Sequence, residues 1–146
     1  YFLEHVSCTF HGRDVFAPIA AHLTLGVKPG QLGPEISPEE MVTLSFPEPQ
    51  RGDAGDLAGE ILYIDRFGNC ITNVAAEVVS DVPPESVRVE TETLCIQGLH
   101  TTYADVSPGS VLALVGSSGF LEIATSGGSA SQRFGLKMGD PVIVSL

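Results

Sequence analysis

The 146 residues include 7 lysines and arginines together against 18 acidic side chains, a formal net charge of −11. So acidic a chain repels phosphate and lacks the basic cluster that nucleic acid or an anionic membrane surface requires. A hydrophobic fraction of 43% with 17% charged residues belongs to a folded chain and not a disordered one, and no apolar run approaches the ~20 residues of a membrane helix.

Residues 1–25 open with a short extended piece, "EHVSCTF", and run into a predicted helix. Val15, Phe16, Ile19, Ala20 and Leu23 recur at the i, i+3/i+4 spacing of one buried face. Asp14 is the expected N-cap, Pro18 is tolerated only near the first turn, and Gly26 ends the helix. Extended piece, loop and helix in this order make a fragment of an α/β domain. Residues 26–56 are dense in Pro and Gly around one short apolar run, "MVTLSF", and read as a linker. The "RGD" at 51–53 reads as a polar turn.

From residue 57 the pattern is β. "EILYID" and "CITNV" flank the tight turn "RFGN". "SVRVETETLCI" alternates Val87, Val89, Thr91 and Thr93 against polar neighbours, the period of a half-solvated strand. "SVLALVG", "FLEIA" and "PVIVSL" are further strands bounded by glycines, and a short helix is expected over 129–134 with Gly135 just beyond it. Short strands joined by turns make an antiparallel sandwich or barrel. Cys8, Cys70 and Cys95 are odd in number and irregularly spaced, so no disulfide framework is expected and the thiols read as reduced, in a cytoplasmic protein. Cys8 and His11 have a metal-like gap, but no second pair answers them, and no metal site is expected.

Three polar groups of residues stand out within the β region. Asp65, Phe67 and Asn69 alternate, so on extended backbone they share a face. An acid, a ring and an amide there suit an ammonium and a flat heterocycle, or else Asp and Asn simply satisfy their own turn. Ser117, Ser118 and Gly119 lie between two strands, where free backbone N–H groups suit a carboxylate or merely form a hairpin turn. Tyr103, in the loop "TTYADV", offers a flat ring to a base or packs as an ordinary tyrosine. One ligand carries ammonium, carboxylate and purine together: S-adenosylmethionine.

The motifs "TFHGRDVFAPIAAHL", "GEILYIDRFGNCITNV", "TTYADV" and "LVGSSGFLEIA…GSA", in that order, closely resemble the S-adenosylmethionine hydroxide adenosyltransferase family, of which the bacterial fluorinase and chlorinase are relatives. The resemblance implies an α+β chain: a C-terminal remnant of an N-terminal α/β catalytic domain over 1–25, a linker over 26–56, and a mostly antiparallel β-barrel domain over 57–146. It implies a chain truncated at its N-terminus, and a family that assembles as homotrimers with the ligand between the N-terminal domain of one subunit and the C-terminal domain of the next. It implies that His11 handles the attacking water, that Phe10 and Gly12 line the ribose and nucleophile pocket, and that Asp65 meets the methionine ammonium. Phe67 and Tyr103 would sandwich adenine, Asn69 would bond its edge, Ser117 and Ser118 would hold the methionine carboxylate, and backbone near Gly127 would touch the adenine.

The activity so implied is hydrolysis of S-adenosylmethionine to adenosine and L-methionine, with no cofactor. Small Gly12 beside His11 favours water over a halide as nucleophile. A halide-using relative and a non-catalytic adenosine-binding piece are the alternatives. Two departures stand out. The family's early acidic residue that grips the ribose, and the Asp and Arg that accompany the histidine, are not in this sequence, and Gly116 stands where the family usually has Asn.

Overall fold

Pro18 decides how the first helix is built. It has no N–H to give, and its ring opposes the carbonyl four residues back, that of Asp14. The backbone answers with a wider turn. Gly12–Phe16 is π-helical, with Ala17 N donating to Gly12 O, and α1 follows over Ala17–Thr24. The freed Asp14 carbonyl accepts from Leu3 N at 2.9 Å. At the other end Gly26 adopts φ +89° and Val27 N donates to His22 O at 3.2 Å, closing the helix where expected.

The structure, a computed structural model, describes residues 1–52 and 55–146. It divides into two units, Tyr1–Leu44 and Ser45–Leu146. Asp53 of the "RGD" turn lies outside the described residues, and Arg51 before it is part of a strand.

Three expectations for the first unit are corrected. Asp14 is not the N-cap, a position held by His11. It lies inside the helical stretch, buried, because its carboxylate is drawn inward by hydrogen bonds from Arg13 and from Ser7 N at 2.8 Å. Those two donors, Arg13 first, bring its pKa down to about 2. The face of Val15, Phe16, Ile19, Ala20 and Leu23 is not buried: Phe16 is 66% exposed, and no residue of α1 is buried. An eight-residue helix followed by isolated 3₁₀ turns offers too little surface within its own unit to cover it. Residues 4–10 hold a bend at 4–5 and a turn at 8–9 and form no strand, in place of the expected extended piece.

The second unit is a mostly antiparallel, nearly closed barrel-like sheet. Its strands are β1 Gln50–Arg51, β2 Leu57–Ile64, β3 Cys70–Ala75, β4 Arg88–Glu90, β5 Cys95–Gln97, β6 Val111–Val115, β7 Phe120–Thr125 and β8 Pro141–Ser145. The order is β5-β4-β8-β2-β3-β7-β6, with β1 on β2. His100, just past β5, bridges Leu114 of β6 and donates from its N–H to Ala113 O at 2.8 Å, bringing the two ends of the sheet together. Alternate residues point inward, so Ile61, Val74, Val89, Leu121, Ile123 and Val144 form one core. A smaller cluster of Leu112, Leu114 and Ala124 lies apart from it, under Val106.

The run "SVRVETETLCI" is a hairpin, not one strand. Thr91 N donates to Leu94 O at 2.9 Å, and β4 and β5 pair Arg88 with Gln97 and Glu90 with Cys95. Val87 and Val89 are buried as the alternation requires, but Thr91 and Thr93 belong to the turn. Two shorter helices complete the unit, α2 Ala76–Val79 and α3 Ala130–Phe134. Ser129 caps α3 by accepting from Gln132 N, and Gly135 ends it at φ +69°, as the sequence indicates. All three cysteines are free, and Cys70, buried in the core, has its thiol pushed up to about 11, chiefly by that burial. Among the described residues no helix is long and apolar enough to cross a membrane.

Candidate functional site

The hairpin between β2 and β3 builds the centre of the site. Asp65 N donates to Asn69 O and Gly68 N donates to Asp65 O, each at 3.0 Å, with Gly68 at φ +85°. Asp65, Phe67 and Asn69 therefore do not share a face of an extended strand. They converge because a tight turn with a left-handed glycine folds the chain on itself. Asp65 Oδ1 accepts from Phe67 N at 2.8 Å and from Asn69 N at 2.9 Å, and Oδ2 accepts from Asn69 Nδ2 at 3.0 Å. The carboxylate thus fixes the turn that carries its two neighbours. Asn69 is 8% exposed, and with Nδ2 committed to Asp65 its Oδ1 has no hydrogen-bond partner among the described residues. The Arg66 guanidinium lies 4.7 Å from the Phe67 ring centre.

A second loop brings the other ring. Thr102 caps a 3₁₀ turn, Tyr103–Asp105, by accepting from Ala104 N at 3.2 Å. Asp105 accepts from Thr101 N and Thr102 N, each at 2.9 Å, and these amides hold its carboxyl below the usual range. The Tyr103 hydroxyl donates to Glu122 Oε1 at 2.6 Å. That bond, with burial and the nearby carboxylates adding to it, raises the phenol to about 12. Glu122 escapes sequence reasoning. On β7 it alternates with core residues and so reads as solvated, yet it is only 6% exposed.

One pocket of about 470 Å³ is lined by Asp65, Phe67, Asn69, Tyr103, Thr125, Gly127 and Gly128. It unites five of the residues singled out in the sequence and adds Thr125 and Gly128. A volume of this size suits a small organic ligand, and the lining offers two rings, an amide oxygen and an acid. Ser117 and Ser118 are exposed in the tight turn between β6 and β7, where Gly119 N donates to Gly116 O at 3.0 Å. Ser118 lines a different cavity, about 640 Å³, with Phe46, Tyr63, Phe120 and Met138 among others. Phe10, His11 and Gly12 belong to the first unit, at the start of its helical stretch, and all three are exposed.

Thr125 Oγ1 is buried with no hydrogen-bond partner among the described residues. An unsatisfied hydroxyl costs about 1–3 kcal/mol. Thr125→Val keeps the shape and removes the orphan, so a stabilisation of about 1 kcal/mol is expected, read as a rise of several degrees in Tm. An unchanged or lowered Tm in a thermal melt counts against this reading.

Comparison with known proteins places the chain among relatives of known family. The family model for the SAM hydroxide adenosyltransferase C-terminal domain matches residues 59–143. A Thermus thermophilus protein named (R)-S-adenosyl-L-methionine hydrolase is 42% identical over 135 residues, which are 92% of this chain and 48% of that protein. An Actinoplanes fluorinase is 29% identical over 147 residues, 94% of this chain and 48% of that one. Among solved structures, an uncharacterized conserved protein of Thermotoga maritima superposes with a TM-score of 0.71 at 32% identity, covering 98% of this chain and 55% of that one. The chain spans about half the length of the curated relatives it matches.

Proposed function

The chain belongs to the SAM hydroxide adenosyltransferase family, and on that premise we propose that its pocket takes the nucleoside of S-adenosylmethionine, within an enzyme that hydrolyses this substrate to adenosine and L-methionine. The observation that carries the reading is the convergence of Phe67, Tyr103, Asn69 and Asp65 on one pocket. Adenine stacks on the rings. Its exocyclic amine donates to Asn69 Oδ1, the acceptor left when Nδ2 is held by Asp65. The ammonium of the methionine part meets Asp65, and backbone at Gly127 meets the base.

In the reaction an oxygen of water bonds to C5′ as the C5′–S bond breaks. The sulfonium takes the electron pair and leaves as a neutral thioether, so no acid is needed for departure. The proton lost by the water goes to a base, for which His11 is the candidate. Phe10 and Gly12 flank it in sequence and line the nucleophile side. Alignment of water, C5′ and sulfur can lower the barrier by up to ~7–11 kcal/mol. Ser117 and the N–H of Ser118, which do not line the nucleoside pocket, would hold the methionine carboxylate where the ligand extends beyond it. In this reading residues 1–25 close the family's N-terminal catalytic domain, 26–56 link it to the barrel of 57–146, and the protein works as a cytoplasmic homotrimer without a cofactor. The greater identity to the hydrolase of Thermus than to the fluorinase of Actinoplanes, 42% against 29%, favours water as nucleophile.

Isothermal titration of the purified chain with adenosine tests the pocket. Binding is expected, weaker by about tenfold for Asn69→Ala and for inosine, which lacks the amine, since one good hydrogen bond is worth roughly this much. No binding at millimolar adenosine, or equal affinity for the two nucleosides, overturns the assignment. Mass analysis of products from the full-length protein, with and without chloride, tests the nucleophile. Adenosine alone is expected, and chlorodeoxyadenosine would reverse the choice.

A further inference from the structure

Glu122 has a position that its place in the sheet does not require. Its neighbours on β7, Leu121 and Ile123, fill the core, so Glu122 points to the other side of the strand, with Ala124. There the loop carrying Tyr103 passes over it, and the same loop's Val106 packs on Leu112, Leu114 and Ala124. The carboxylate is held between two features. Oε1 accepts from the Tyr103 hydroxyl at 2.6 Å, and Oε2 lies 2.6 Å from where a Cβ on Gly116 would stand. Any side chain at position 116 has to displace it. The capping bonds of Thr102 and Asp105 fix the backbone of the loop, whereas the tip of the Tyr103 ring is tied by the Glu122 bond alone among the described hydrogen bonds.

We propose that Glu122 is a positioning residue for ligand binding: it sets the Tyr103 ring against the pocket, and Gly116 is the residue that leaves room for it to do so. A buried carboxylate is costly unless bonded, and here its bonding partner is a ring that lines the pocket. The raised phenol is consistent with a strong bond to that oxygen. The inference rests on the nucleoside reading for its ligand, but the ring's order can be measured without any ligand.

The test compares wild type with Glu122→Gln, Glu122→Leu, Tyr103→Phe, the Leu/Phe double variant and Gly116→Ala. Two readouts serve: adenosine affinity by calorimetry, and near-UV tyrosine circular dichroism, free of Trp, in which the difference between wild type and Tyr103→Phe gives the share of Tyr103 beside Tyr1 and Tyr63. Glu122→Leu is expected to lose the fixed-tyrosine signal and weaken adenosine by about tenfold. Tyr103→Phe weakens it equally and the double variant no further, because the two changes remove one interaction. Glu122→Gln, whose amide oxygen still accepts, restores the signal and affinity to within about threefold of wild type. Gly116→Ala moves in the same direction as Glu122→Leu.

An additive double variant, a Gln variant as impaired as Leu, or unchanged Gly116→Ala and Glu122→Leu variants overturn the proposal. If Glu122→Leu does not fold, Tyr103→Phe and Gly116→Ala decide it alone, and wild-type behaviour of both is fatal. If wild type binds no adenosine, the nucleoside reading fails while the dichroism series still decides whether Glu122 orders the ring.

Discussion

Gly68→Ala is expected to be the most damaging single methyl group that can be added to the barrel, lowering stability by about 3 kcal/mol and abolishing adenosine binding. Two independent effects add. The residue has φ +85°, where an L side chain is strained by roughly 1–2 kcal/mol. A Cβ would also collide with Ser129, overlapping its Oγ, lying 2.6 Å from its Cβ and 3.0 Å from its Cα. Backbone at Ser129 cannot retreat cheaply, because its side chain caps α3 and Ser131 N donates to Gly68 O at 3.0 Å. The turn is therefore docked on the start of α3, and that docking fixes where Phe67 and Asn69 stand. Urea unfolding and adenosine calorimetry provide the measurement. Gly68→Ala/Ser129→Gly removes the collision with the Ser129 side chain, keeps the strain, and loses the α3 cap at a cost of roughly a few tenths of a kcal/mol, so somewhat under half the lost stability is expected to return. A single variant within about 0.5 kcal/mol of wild type sinks the account, being no more than an ordinary surface change.

The barrel was legible in the sequence because alternation is a direct physical consequence of a strand with one buried face. "EILYID", "FLEIA" and "PVIVSL" place Ile61, Leu121, Ile123, Val142 and Val144 in the core as their period requires. The same logic hid Glu122. An acidic residue at an outward position of a strand reads as solvated, and only the loop around Tyr103, arriving from a distant part of the chain, buries it. The 87–97 run misled for a related reason: Thr and Glu alternate equally well in a half-solvated strand and in the turn of a hairpin, and pairing with β8, a contact far away in sequence, decides between them.

Local chemistry was equally ambiguous at the helix. Asp before an apolar run is the pattern of an N-cap, but Pro18 forces a wider turn, and the Asp14 carboxylate finds better donors in Arg13 and Ser7. Of the two readings the sequence leaves open for Asp65, Phe67 and Asn69, a shared strand face and a self-satisfied turn, the structure takes the turn. What spacing alone does not decide is whether Asp65 satisfies its own turn or faces a ligand, and the structure has it doing the first while lining the pocket.

Because Asp65 is committed to the turn through both oxygens, its replacements are expected to differ sharply from one another. Asp65→Ala removes the acceptor for Phe67 N, Asn69 N and Asn69 Nδ2 together. Stability falls by about 2 kcal/mol, and adenosine binding by about a hundredfold or more, as the turn loses its shape and takes Phe67 and Asn69 with it. Asp65→Asn behaves otherwise. Its Oδ1 still accepts from the two backbone N–H groups, so the fold and Tm are nearly kept. The other half of the new amide is a donor, however, and it faces Asn69 Nδ2, which is also a donor. The Asn69 amide has to turn over, giving its oxygen to residue 65 and presenting N–H to the pocket. A pocket that offers a donor disfavours the adenine amine and suits the carbonyl of hypoxanthine. Adenosine is expected to weaken by about tenfold and inosine to gain, reversing the preference of the wild-type chain. Side-by-side calorimetry with the two nucleosides reads this directly. A folded Asp65→Asn variant whose adenosine-to-inosine ratio equals that of wild type would mean that the bond between Asp65 and Asn69 does not set which edge of the amide the ligand meets.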